Sequence, residues 1–124
     1  MNGKKKMIYN ITPCPKPRMT RSDRWKKRPS VLRYFVFKDE CRLNRVEIPE
    51  YGGHITFIIP MPKSWSKKRR SQMDGKPHRQ RPDTDNLLKA ICDAVFDEDC
   101  TIWDIRATKL WGDVGSIHVT AGNQ

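Results

Sequence analysis

Pro82-Asp83-Thr84-Asp85-Asn86-Leu87-Leu88-Lys89-Ala90-Ile91-Cys92-Asp93-Ala94-Val95-Phe96 is the stretch on which the fold turns. Leu87, Leu88, Ile91 and Val95 recur at helical spacing, and an Asp or Thr is available as N-cap, so a helix is expected after Pro82. Upstream, His54-Ile55-Thr56-Phe57-Ile58-Ile59 is β-branched and apolar on both faces near its end, the pattern of a central strand, and Pro60 and Pro62 close it. Downstream, two strands are expected at roughly Trp103 to Trp111 and Gly115 to Thr120, joined by a hairpin at Gly112-Asp113. Near the start, Met7 to Thr12 reads as a short strand stopped by Pro13, Pro15 and Pro17. Val31 to Phe37 has strand propensity, but it runs into Lys38 to Leu43, which favours helix; a helix over some of residues 32–46 is expected. The whole of 1–124 then forms one α+β domain of order β-α-β-α-β-β, with helices packed on a mixed sheet. A basic arm or loop at 16–30 and a long basic loop at 63–81 interrupt it.

Charge divides the chain in the same place. The net +11 over 124 residues points to a polyanionic partner, nucleic acid before an anionic membrane surface. Residues 1–81 hold 22 Lys+Arg and 6 Asp+Glu, a net +16, whereas residues 82–124 hold 3 and 8, a net −5. Asp83, Asp85, Asp93, Asp97, Glu98, Asp99 and Asp104 fall within 22 residues. Clustered carboxylates repel phosphate and one another unless something neutralises them, and a divalent cation does so. The alternative is a solvated helix face and loop. No run of 18 apolar residues is present, which excludes a spanning helix, and no apolar segment follows the basic start. A cytoplasmic protein is therefore expected, with Cys14, Cys41, Cys92 and Cys100 as free thiols; without a C-x-x-C pair, a zinc site is not.

Asp83 and Asp85 are two apart at the helix start, so both carboxylates can converge on one cation if the chain is extended there. Asp85 and Lys89 share a helix face, which puts Lys89 where it could meet charge developing on a phosphodiester. Asp99, from the segment after the helix, would complete a site of oxygen ligands suited to Mg²⁺. The bland reading makes Asp85 a helix cap and Lys89 a salt-bridge partner of Asp93.

The run Pro82 to Ala94 resembles the central motif of RusA-type Holliday junction resolvases, in which D-x-D-N-L-x-K-A leads into a helix. The resemblance reaches back through Ile55 to Pro62, where a strand ends in P-M-P, and forward through Glu98 to Ile102 and Ile105 to Lys109. In all it covers roughly residues 54–120. It implies a homodimeric, Mg²⁺-dependent endodeoxyribonuclease, with Mn²⁺ as a possible substitute, that nicks opposing strands of a four-way DNA junction. It further implies Asp83, Asp85 and Asp99 as metal ligands and Lys89 as the catalytic lysine. At the third position the family has two adjacent acids and then a glutamine. Here Asp97 precedes Glu98-Asp99 and Thr101 replaces the glutamine, which leaves a shift of one residue open.

Basic side chains flank this centre. Lys67, Lys68, Arg69, Arg70, Lys76, Arg79 and Arg81 are candidates for DNA-backbone contact, as are Arg18 and Arg24 in the arm. Trp25 and Trp65, among basic residues, could stack on unpaired bases or pack. Trp103 and Trp111 are expected in the core or at a dimer interface, and His78 beside a phosphate. The competing class is a non-catalytic branched-DNA or RNA binding protein whose acids are structural. A third reading is a nuclease acting on forks or flaps.

Overall fold

A computed structural model describes residues 5–18, 28–96 and 99–121. Strand β1 (Lys5–Tyr9), helix α1 (Pro29–Leu43), strand β2 (Gly53–Pro60), helices α2 (Lys67–Met73) and α3 (Thr84–Val95), and strands β3 (Ile105–Gly112) and β4 (Ser116–Ala121) follow in chain order. This is the expected α+β order with one helix more, inside the stretch expected as loop. Ser66 explains it: its hydroxyl accepts a hydrogen bond from the Arg69 amide at 3.2 Å and caps the first turn of α2.

The four strands form one mixed sheet in the order β1-β4-β2-β3. Strand β2 is central, parallel to β3 with Ile55 opposite Ala107, and antiparallel to β4 with Ile55 opposite Val119. Alternate residues of β2 therefore point inward, and Ile55 and Phe57 are fully buried. They meet Tyr34, Phe37 and Cys41 of α1, and Leu87, Ala90 and Ile91 of α3, in the main core. In α1 the helical spacing of Val31, Tyr34, Phe37 and Cys41 outweighs the strand propensity of residues 31–37, because burial of that face against the core decides the outcome. The helix begins at Pro29, a residue suited to the first turn, earlier than residue 32.

The expected hairpin at Gly112-Asp113 does not form. Strands β3 and β4 lie on opposite sides of β2, so the chain crosses the end of β2 between them. The outer edge of β3 is already taken: the His78 amide donates to Lys109 O, Gly75 to Trp111 O, and Trp111 to Lys76 O. Two glycines allow the crossing. A Cβ on Gly112 would stand 2.2 Å from Ile58 Cγ2, and one on Gly115 would stand 3.0 Å from the Thr12 Cα.

Trp111 is buried, as expected, but Trp103 lies before β3 and is 73% exposed, stacked on Tyr51 with ring centroids 5.4 Å apart. It is not a core residue. Cys41 and Cys92 are buried, Cys100 is exposed, and none of the four cysteines is in a disulfide. Among the described residues, no helix is long and apolar enough to cross a membrane.

Candidate active site

Helix α3 runs back between the parallel strands β2 and β3, and its N-terminal end carries the D-x-D pair. Asp83 is the N-cap residue, extended at φ −70° and ψ 147°, with its carbonyl accepting the Leu87 amide at 3.2 Å. Its carboxylate makes no cap hydrogen bond. Asp85 stands in the first helical turn and Lys89 one turn on, so the motif straddles the helix boundary rather than lying wholly in extended chain. All three side chains are exposed, and among the described residues none of them forms an ion pair. Carboxylates without partners at a helix N-terminus are suited to an external cation or to water.

The third acid of this segment is different in kind. Asp93 accepts a hydrogen bond from the Tyr34 hydroxyl and lies 3.7 Å from both Lys16 Nζ and Lys38 Nζ. The Tyr34 hydrogen bond, helped by the two ammonium groups, holds its carboxyl below the usual range against the opposing effect of burial. Burial and the same Asp93 push the Tyr34 phenol well above its ordinary value. Asp93 therefore joins α1 to α3, and among the described residues its partners are Tyr34, Lys16 and Lys38 rather than Lys89.

A groove of about 540 Å³ opens beside Asp83, lined by Pro15, Lys16, Arg81, Pro82 and Asn86. The proline-rich segment is held there by the Lys16 amide donating to Asn86 O at 3.3 Å. It brings Lys16, which sequence reading did not single out, to the groove that Asp83 also lines, while the Lys16 ammonium pairs with Asp93. Only the groove shows this, because residues 16 and 83 are remote along the chain.

The remaining expected residues divide. Lys67, Lys68, Arg69, Lys76, Arg79 and Arg81 are exposed. Arg70 is engaged: Nη1 donates to Pro62 O at 2.9 Å, and Nη2 pairs with Asp113 Oδ1 at 2.5 Å. Arg69 lies 4.0 Å over the Trp65 ring, while Trp111 packs on that ring at 4.8 Å; packing thus accounts for Trp65. His78 is not at a phosphate-facing surface. It is 5% exposed and sits 4.3 Å from the Trp111 ring, and burial, then the nearby Lys109 charge, lower its pKa. The backbone carbonyl of Arg18 accepts from Arg28. Arg24 and Trp25 lie outside the described residues, as do residues 97 and 98.

The backbone of Asp99 begins a single 3₁₀ turn, Asp99–Thr101, beyond the other end of α3; its side chain is outside the described set. Among the described residues, no three His, Cys, Asp or Glu side chains gather as a metal-binding group. Asp83 and Asp85 alone offer hard oxygen donors of the kind Mg²⁺ takes one or two at a time, with water and phosphate oxygens filling the other positions. The donor chemistry fits that ion.

The fold is thus an α+β domain with, among the described residues, an exposed carboxylate pair free of ion pairs at a helix start, Asp83 of that pair lining a groove with Lys16 and Arg81. The chain belongs to the RusA family: the family described as Endodeoxyribonuclease RusA matches residues 36–121, from within α1 to the end of β4. No curated protein matches the chain.

Proposed function

We propose that this chain is a Mg²⁺-dependent endodeoxyribonuclease that acts as a homodimer and resolves four-way DNA junctions by paired nicks in recombination and repair. Family membership supports the reaction class. The observation that carries the assignment to these residues is the contrast within α3: Asp93 is consumed by Tyr34, Lys16 and Lys38, whereas Asp83, Asp85 and Lys89 stand exposed, with Asp83 lining the groove.

In this reading Asp83 and Asp85 hold the metal, with Asp99 as third ligand and Asp97 or Glu98 as the alternatives for that place. When bound, Mg²⁺ polarises the scissile phosphoryl group and lowers the pKa of water in the site, and Mn²⁺ can substitute. The chain's own part is threefold. Arg81, which lines the groove with Asp83, draws a phosphate towards the carboxylates. Lys67, Lys68, Arg69, Lys76 and Arg79 follow the DNA backbone further out, with Arg18 and Arg24 as a second strip. Lys89, one turn from Asp85, sets its ammonium against the charge that grows on the leaving oxygen. Two symmetric cuts need two centres related by a two-fold axis, which a homodimer supplies.

The test is cleavage of junction, fork and duplex DNA side by side, with Mg²⁺, at matched salt. Paired nicks confined to the junction are expected. Absence of Mg²⁺-dependent nicking on every substrate would leave the chain a binding module with structural acids, and preference for the fork would make it a nuclease of forks or flaps.

A further inference from the structure

We propose that Lys109 is a positioning residue for the Asp83–Asp85 pair: its ammonium clamps the backbone on both sides of Arg81 and so fixes where the carboxylates stand. The inference rests on the nuclease reading of that pair, but the clamp itself is a matter of geometry. Lys109 Nζ donates to Gln80 O at 2.7 Å and to Pro82 O at 2.7 Å. The second of these carbonyls belongs to the peptide that ends at the Asp83 nitrogen.

The segment from Arg79 to Pro82 has little else to hold it. Its last tie on one side is the His78 amide bonded to Lys109 O, and on the other the Asp83 carbonyl that receives the Leu87 amide. Between them, no backbone hydrogen bond joins Arg79, Gln80, Arg81 or Pro82 to another described residue, and Pro82 has no N–H to offer. An ammonium suits the task because it has three donors and no acceptor, and a charged donor to a carbonyl is stronger than a neutral one.

The base of the clamp is firm. Lys109 pairs with Phe57 of the central strand on one side, and its own carbonyl receives the His78 amide on the other. The side chain is half-buried on the sheet face that packs against α3. Lys109 thereby transmits the rigidity of the sheet to a link that is otherwise untied, four residues long and immediately before the carboxylates.

The experiment has two arms, each on Lys109→Met, which keeps most of the stem and removes the donors. In the first, NMR order parameters are measured for the amides of Arg79, Gln80, Arg81, Asp83 and Thr84 in both proteins. They should fall in the variant while those of β2 and β4 stay as in the wild type. In the second, nicking of a four-way junction with Mg²⁺ should lose about 10- to 100-fold in kcat, the scale expected for misplaced reacting groups, with KM little changed. Lys109→Arg, which keeps charge and donors, should restore most of both.

Unaltered amide order overturns the clamp, and loosened amides with undiminished kcat overturn its role in positioning. If Lys109→Met does not fold, Lys109→Gln is read by the same measurements. If the wild-type chain nicks nothing, the nuclease reading fails, and the amide arm still decides whether Lys109 orders the link.

Discussion

The Tyr34 hydroxyl donates to Asp93 Oδ2 and so joins α1 to α3 through a carboxylate in the middle of the acidic segment. Lys16 and Lys38 complete the arrangement, each 3.7 Å from the same oxygen. The bond separates two kinds of acid that look alike in the sequence: one that holds the helices together, and a pair left to the solvent.

Asp93→Asn should therefore cost stability and spare chemistry. A hydrogen bond to a charged group, partly screened because Asp93 is not fully buried, contributes roughly 1–2 kcal/mol. Since the folded pKa of Asp93 lies below its ordinary value, its contribution is present above the unfolded carboxylate pKa of about 4 and fades as pH falls through the folded value. Tyr34 acts at the other end: its raised pKa adds stability that is full below about pH 10 and is lost as pH rises further. Urea unfolding of both proteins from pH 3 to 7 should show the gap between wild type and Asp93→Asn closing on the acid side.

Lys89→Met should do the reverse. Lys89 is exposed and has no ion pair among the described residues, so unfolding free energy should move by no more than about 0.5 kcal/mol. Loss of a donor aimed at developing charge costs on the order of 10²–10³ in kcat. Single-turnover nicking and thermal melting of the same preparation read both quantities.

The cations of α2 should separate by their partners. Lys67→Ala and Lys68→Ala remove exposed charge, and each should lower the slope of log K against log salt on duplex DNA by about 0.9. Arg70→Ala breaks the ties to Pro62 O and Asp113, so its effect should appear as a lower Tm rather than as a full unit of slope. Titrations at several salt concentrations, with melts alongside, distinguish the two.

Chelation should stop nicking and leave the fold alone. Neither Asp83 nor Asp85 belongs to the core, which is built from Ile55, Phe57, Leu87, Ile91 and their neighbours. The Tm in EDTA should match that of the metal-free protein, and Mg²⁺ should raise it only by mass action.

Strand β2, helix α3 and the strand identities near the C-terminus were legible because burial imposes a period on the sequence. Ile55 and Phe57 alternate inward, and Leu87 and Ile91 repeat along one helix face. The crossing at Gly112 was not legible, since a glycine before an aspartate reads equally as a hairpin. The bonds that exclude the hairpin come from Gly75 to His78, more than thirty residues away. Helix α2 was hidden because it buries no residue and shows no apolar period; only its Ser66 cap marks it. At the candidate site, spacing puts Asp83, Asp85 and Lys89 at one helix start, and the roles proposed for them come from the family resemblance. The place of Lys16 in the groove and of Lys109 on the Gln80 and Pro82 carbonyls was not legible, since tertiary contacts that leave no local signal bring them there. His78 misled for the same reason: a histidine among basic residues reads as exposed, but Trp111 covers it.

The central claim is that the paired carboxylates at the start of α3 serve cleavage. Asp85→Asn, assayed on a four-way junction with Mg²⁺ and for junction binding in parallel, tests it most directly. The account predicts that nicking is abolished while binding survives or tightens, because the change removes negative charge beside phosphate. Nicking by Asp85→Asn at the wild-type rate would contradict it.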